Sequence, residues 1–128
     1  MKVLLTDDSA TIRMILKGLL KQLQITEISE AQDGQEALNI LKTKTVDVVM
    51  LDIHMPTLDG LQCLEQIRKM PGGEKMPVIM ITSDTDSKQI ERAHELGAHA
   101  YIKKPFRIDG LREALATVIP DSTNKSGA

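Results

Sequence analysis

Short, almost uninterrupted apolar runs alternate five times with segments of helical period, and few architectures accommodate that order. The strongest runs are Val3-Leu4-Leu5, Val46-Asp47-Val48-Val49-Met50-Leu51 and Val78-Ile79-Met80-Ile81. Weaker ones are Glu27-Ile28-Ser29-Glu30-Ala31 and Ala100-Tyr101-Ile102. Near-continuous hydrophobicity over so short a span suits a strand covered on both faces, as in a parallel sheet between helices. The alternation within 27–31 places that strand at a sheet edge.

Between the runs, Ile12, Ile15/Leu16, Leu19/Leu20 and Leu23 repeat at three to four residues. Ala37/Leu38 with Leu41, Leu61 with Leu64 and Ile67, Ile90 with Ala93 and Leu96, and Leu111 with Ala114/Leu115 and Val118/Ile119 do the same. Each repeat predicts an amphipathic helix. Asp33-Gly-Gln-Glu36 and Asp86-Ser-Lys-Gln89 set a capping acid three residues before Glu or Gln, which marks a helix start. Gly97 suits a helix stop and Pro71-Gly72-Gly73 a loop. Five strand–helix units imply a parallel α/β sheet with right-handed crossovers and helices on both faces. The 128 residues suffice for one compact domain, 1–120, followed by a polar tail or linker start at 121–128.

Composition narrows the function classes. Sixteen Lys+Arg against eighteen Asp+Glu leave a net charge of −2, too balanced for a nucleic-acid or membrane surface. Tyr101 and Phe106 are the only aromatic residues, which argues against stacking on single-stranded nucleic acid. The lone Cys63 cannot form an internal disulfide, and no apolar run approaches a membrane span of ~18 residues. With no signal-peptide pattern after Met1, the expectation is a cytoplasmic protein.

In an open parallel sheet, ligands bind beyond the carboxyl ends of the strands. There the first strand ends at Asp7-Asp8, the third at Asp52, the fourth at Thr82-Ser83 and the fifth at Lys104-Pro105. The second ends at Asp33-Gly34, a turn and helix cap. Any one of these acids could simply cap the helix that follows, but three strand ends delivering carboxylates to one edge is a different matter. Three crowded carboxylates repel, so without a counter-ion one of them tends to keep a proton. A Mg²⁺ ion together with Lys104 would bring the sum to about zero, and oxygen ligands are what Mg²⁺ prefers.

Other chemistries lack support. The turn Thr6-Asp-Asp-Ser-Ala-Thr11 is neither a P-loop nor a glycine-rich dinucleotide turn. His54, His94 and His99 have no zinc-protease spacing, and Cys63 lies beside the Leu64/Ile67 stripe as a small core residue.

Asp7-Asp8, then Asp52-Ile-His-Met-Pro-Thr-Leu-Asp-Gly60, then Thr82-Ser83, then Lys104-Pro105-Phe106 resemble the receiver domain of two-component response regulators. The likeness covers about residues 2–120. The opening Asp7-Asp-Ser-Ala-Thr-Ile-Arg13 looks most like the stand-alone chemotaxis regulators of that family. The resemblance implies a flavodoxin-like sheet in the order 2-1-3-4-5 and a phosphoryl acceptor at Asp52, supplied by a sensor histidine kinase. It implies Mg²⁺ held by Asp8 and Asp52 directly, by Asp7 through water and by the backbone carbonyl of His54. Thr82 would bond one phosphoryl oxygen and Lys104 another, with Lys104-Pro105 as a cis peptide that aims the lysine inward. Thr82 and Tyr101 would form the switch, read by a downstream protein on the face of helix 4, strand 5 and helix 5, where Lys88, Arg92, Lys103 and Arg112 supply charge. Such a chain catalyses only its own phosphorylation and dephosphorylation. His54 and Asp84 stand where the family varies and where phosphoryl lifetime is tuned. Arg107 replaces the Ser or Thr that often opens the last helix.

Two readings stay beside this one. The chain could be a receiver cut from a longer regulator with an output domain after residue 128. A haloacid-dehalogenase-type phosphatase also uses a strand-end Asp with Mg²⁺, but it wants Asp-x-Asp after its first strand, whereas here the motif follows the third and its third residue is His54. A flavodoxin-like flavin protein would need a Ser/Thr/Gly-rich phosphate loop and more aromatic residues.

Overall fold

In the computed structural model, which describes residues 1–83 and 87–118, five parallel strands lie in the order β2-β1-β3-β4-β5. The elements follow one another as β1 (Lys2–Thr6), α1 (Ala10–Gln22), β2 (Glu27–Ala31), α2 (Gly34–Thr43), β3 (Val48–Asp52), α3 (Gly60–Lys69), β4 (Val78–Thr82), α4 (Ser87–Glu95), β5 (Ala100–Lys103) and α5 (Ile108–Val118). The alternation of apolar runs and helical repeats therefore gives the expected fold.

Side-chain alternation along each strand divides the core in two. Leu4, Val49, Leu51, Val78 and Met80 face one way, against Leu38 of α2, Leu64 and Ile67 of α3 and Ala93 of α4. Val3, Leu5, Val48, Met50, Ile79 and Ile81 face the other way, against Leu16 and Leu20 of α1 and Leu111 and Leu115 of α5. Every residue of β3 and β4 is buried, which accounts for their unbroken hydrophobicity. β2 stands at the edge, as its alternation indicates, and only Ala31 at its end is buried.

Several local details differ from the sequence reading. The third strand begins at Val48 rather than Val46. Ile15 is not part of the buried stripe: it is 46% exposed while Leu16 beside it is fully buried, because a helix presents only one of two adjacent residues squarely to the sheet. The Pro71-Gly72-Gly73 loop runs into a 3₁₀ turn at Gly73–Lys75. Asp33 caps α2 by accepting from Glu36 N–H at 2.8 Å, as expected. A cap that the spacing rule also fits but the reading passed over is Asp59 on α3, whose side chain bonds Gln62 N–H while Gln62 returns to Asp59 N–H. Gly97 ends the fourth unit with φ 82. The cap placed on Asp86 lies outside the described residues, as do Asp84 and the tail.

Candidate functional site

Register brings the strand-end residues together. Thr6 pairs with Leu51, Asp52 with Ile81 and Thr82 with Lys103, so Asp7, Asp52, Thr82 and Lys104 leave the sheet along one edge. One ligand oxygen each from Asp7, Asp8 and Asp52 lies within 4.8 Å of the others. Asp7 and Asp52 are buried and Asp8 is exposed. Ser9 N–H donates to Asp7 Oδ1 at 2.9 Å, and the Ser9 hydroxyl, in turn, caps α1 by accepting from Ile12 N–H. His54 N–H donates to Asp52 Oδ1 at 3.3 Å, while the His54 side chain is exposed at the mouth. Gly60, opening α3, lies flat against the acceptor strand: its N–H donates to Ile53 O at 2.9 Å, and a Cβ there would lie 2.2 Å from Asp52 O.

Burial pushes the Asp52 carboxyl up to about 6, the Asp7 charge adds to the rise, and Lys104 and the His54 N–H pull against it. Burial also raises Asp7, with Ser9 N–H and Lys104 opposing. Asp7 and Asp52 thus hold protons more tightly than ordinary carboxyls, as expected of crowded acids without a cation. The same cluster suits a hard divalent cation. Asp7 Oδ2 is buried and reached by no hydrogen-bond donor among the described residues, and the donor set is all oxygen.

Thr82 and Lys104 also lie at this end of the sheet, whereas Tyr101 lies within β5, paired with Met80 of β4. Lys104 Nζ is 3.7 Å from Asp52 Oδ1, and the Lys104–Pro105 peptide is cis. The buried Thr82 hydroxyl donates to Ile102 O at 3.4 Å, so it is engaged with β5. Tyr101 is half-buried and its hydroxyl donates to Ile90 O of α4 at 3.4 Å. Lys88, Arg92, Lys103 and Arg112 are all exposed, with Arg92 paired to Glu65 and Glu95, and Arg112 to Asp109. Cys63 is fully buried beside Gly34 O with its thiol pushed up to about 12, the inert core residue its position suggests. A neighbour of the site that the sequence reading passed over is Arg13, whose guanidinium donates to the Asp7 carbonyl at 2.6 Å. In the sequence it stands only as the last residue of the Asp7–Arg13 opening, with nothing there to mark its contact with the Asp7 carbonyl.

A doubly wound parallel domain with an acidic cluster, a lysine and a threonine at its carboxyl edge is the architecture of a phosphoryl-accepting signalling module. The chain belongs to the response regulator receiver domain family, whose pattern matches residues 3–116. Its relatives include the chemotaxis protein CheY-3 of Vibrio cholerae, 40% identical over 90% of this chain and 88% of that protein. Among solved structures it resembles the Vibrio cholerae chemotaxis protein CheY4, with TM-score 0.83 and 30% identity over 91% of this chain and 97% of that one. A Clostridium thermocellum response regulator receiver domain gives TM-score 0.83 and 31% identity over 95% and 96% of the two chains. Domains of this family accept a phosphoryl group, generally with Mg²⁺, and switch the binding of partners in two-component signalling. This chain is accordingly a signalling protein homologous to chemotaxis response regulators. Among the described residues no helix is long and apolar enough to cross a membrane.

Proposed function

We propose that the chain takes a phosphoryl group from a sensor histidine kinase onto Asp52 and passes the signal to a downstream protein in the cytoplasm. One observation carries the reading: Asp52 is buried at the centre of the carboxyl edge, between the Asp7 and Asp8 oxygens and the Lys104 ammonium. The domain would comprise residues 1–120, with 121–128 as a polar tail or linker start.

Asp8, Asp52, the His54 carbonyl and, through water, Asp7 would hold Mg²⁺, which supplies neutralisation of the charge on the transferring phosphoryl oxygens. The chain's own residues do the rest. An Asp52 oxygen attacks phosphorus in line as the phosphorus–nitrogen bond of the donor phosphohistidine breaks. Phosphoryl transfer has a loose transition state, so the protein contributes position and charge. Lys104 and the Thr82 hydroxyl each meet an equatorial oxygen. The chain in this sense catalyses only its own phosphorylation and dephosphorylation. His54, exposed beside the acceptor, and Asp84 would govern the approach of hydrolytic water.

For output, Thr82 must exchange its bond to Ile102 O for one to the phosphoryl group. That movement frees space for Tyr101 to leave Ile90 O and turn inward, altering the α4–β5–α5 face. A tyrosine tolerates both settings, having an apolar ring and a polar tip.

The test is phosphorylation by a small acyl phosphate, or beryllofluoride binding, with and without Mg²⁺. Wild type should respond only with metal, Asp52→Asn should not respond, and Asp8→Ala should lose most Mg²⁺ affinity. Thr82→Ala should still be phosphorylated but shift the amide resonances of 88–112 far less than wild type. Equal labelling of Asp52→Asn would refute the acceptor assignment.

A further inference from the structure

Arg13 reaches the acidic edge from the flank of α1, with a side chain only 12% exposed. Its Nη1 donates to the Asp7 main-chain carbonyl at 2.6 Å and its Nε to Glu30 Oε1 of β2 at 2.9 Å. Lys17, one turn further along α1, holds the other Glu30 oxygen at 2.9 Å. The guanidinium is thus fixed between a carboxylate and the peptide oxygen that joins Asp7 to Asp8.

We propose that Arg13 is a positioning residue for the Mg²⁺-binding acids, acting through the Asp7–Asp8 peptide and held in place by Glu30. This rests on the reading of Asp7, Asp8 and Asp52 as the metal site. Asp8 is exposed and lies beyond the strand ladder, so its carboxylate points where the preceding peptide plane directs it. Asp7 N–H is held by Ala31 O at 3.2 Å and Asp7 Oδ1 by Ser9 N–H. Those bonds fix the preceding Thr6–Asp7 peptide and the Asp7 side chain, and Arg13 holds the carbonyl of the next peptide, the plane from which Asp8 projects. Repulsion among three carboxylates within 4.8 Å pushes Asp8 outward, and a charge-assisted bond to the backbone opposes the swing.

Position and charge predict opposite signs. Removing a cation near a cation site favours Mg²⁺ by Coulomb attraction, whereas releasing the peptide weakens binding. Support residues behind metal ligands typically change affinity by about tenfold or more. Titration of MgCl₂ into the whole chain by calorimetry should show Arg13→Met and Arg13→Lys both weakened by about tenfold, because a lysine keeps the charge but cannot span Glu30 and Asp7 O. In metal-free protein, Arg13→Met should also move the Asp7 carbonyl carbon and Asp8 amide resonances. Glu30→Gln, which leaves the fold's apolar contacts intact, should weaken Mg²⁺ in the same direction by a smaller factor. Unchanged or tighter Mg²⁺ binding in folded Arg13→Met, or full affinity in Arg13→Lys, overturns the proposal. A wild type that takes up no Mg²⁺ overturns the metal site itself and this inference with it, while loss in Asp8→Ala alone removes only the inference.

Discussion

Lys104 Nζ stands 3.7 Å from Asp52 Oδ1, beyond hydrogen-bond length yet near enough to favour the ionised carboxylate by charge. The lysine enters from the solvent side, with a side chain 35% exposed against 4% for Asp52. Attraction from one partly hydrated ammonium does not offset burial and a neighbouring Asp7, so the Asp52 carboxyl still rises to about 6.

Carbon-13 carboxyl titration of the metal-free protein should therefore place Asp52 near about 6, and Lys104→Gln should move it higher. A folded-state value above the unfolded one binds protons preferentially in the folded chain. That contribution to stability is fully present below the ordinary carboxyl range and is lost as pH rises through about 6. Asp52→Asn should accordingly stabilise the metal-free protein at pH 7 by on the order of 2 kcal/mol. Equal denaturation midpoints for wild type and Asp52→Asn at that pH would contradict the account.

The Thr6 hydroxyl is buried beside the site with no hydrogen-bond partner among the described residues. Thr6→Val exchanges it for a methyl of the same shape. Urea unfolding should show a gain of about 1 kcal/mol, the cost of a desolvated, unpaired hydroxyl. A loss of stability would mean that the hydroxyl has a partner in solution.

Two glycines should respond oppositely to alanine. At Gly60 the new Cβ would meet Asp52 O at 2.2 Å and Ile53 Cα at 2.8 Å, backbone atoms at and just beyond the end of the acceptor strand. Gly60→Ala should cost about 2–3 kcal/mol and shift the Asp52 resonances. At Gly18, within α1, nothing lies within 4 Å, and alanine should add about 0.5–1 kcal/mol by helix propensity. Differential scanning calorimetry of the pair reads both signs.

Arg68 ties the far end of the molecule together. Its guanidinium donates to Leu96 O at 2.7 Å, Gly73 O and Met76 O at 2.8 Å, and Gly97 O at 2.9 Å, joining α3 to the 3₁₀ turn and the end of the α4 unit. Arg68→Met strands those carbonyls and should cost about 3 kcal/mol in urea unfolding. Arg68→Lys should recover little, since one ammonium cannot span three chain segments. Full stability in the lysine variant would argue that charge near the helix end suffices.

The sequence by itself determined the element order, the class of sheet and the convergence of Asp7, Asp8, Asp52, Thr82 and Lys104 on one edge. Those follow from near-neighbour periodicity, because each strand delivers its last residue to the same side of a parallel sheet. Tertiary structure alone decided what those groups experience. The proton affinity of Asp52 depends on its burial at the sheet edge and on the charges of Asp7, Lys104 and Asp8, which other segments of the chain bring beside it. Ile15 had the right residue type for its helical stripe, but only the packing decided that it faces water, and only the packing left the Thr6 hydroxyl without a partner among the described residues. The Arg13 bond to Asp7 O and the four carbonyls on Arg68 use main-chain acceptors, which every residue possesses and no side-chain pattern singles out. Such contacts are fixed by where the folded backbone happens to present its oxygens, so no reading of side-chain order along the chain could have located them.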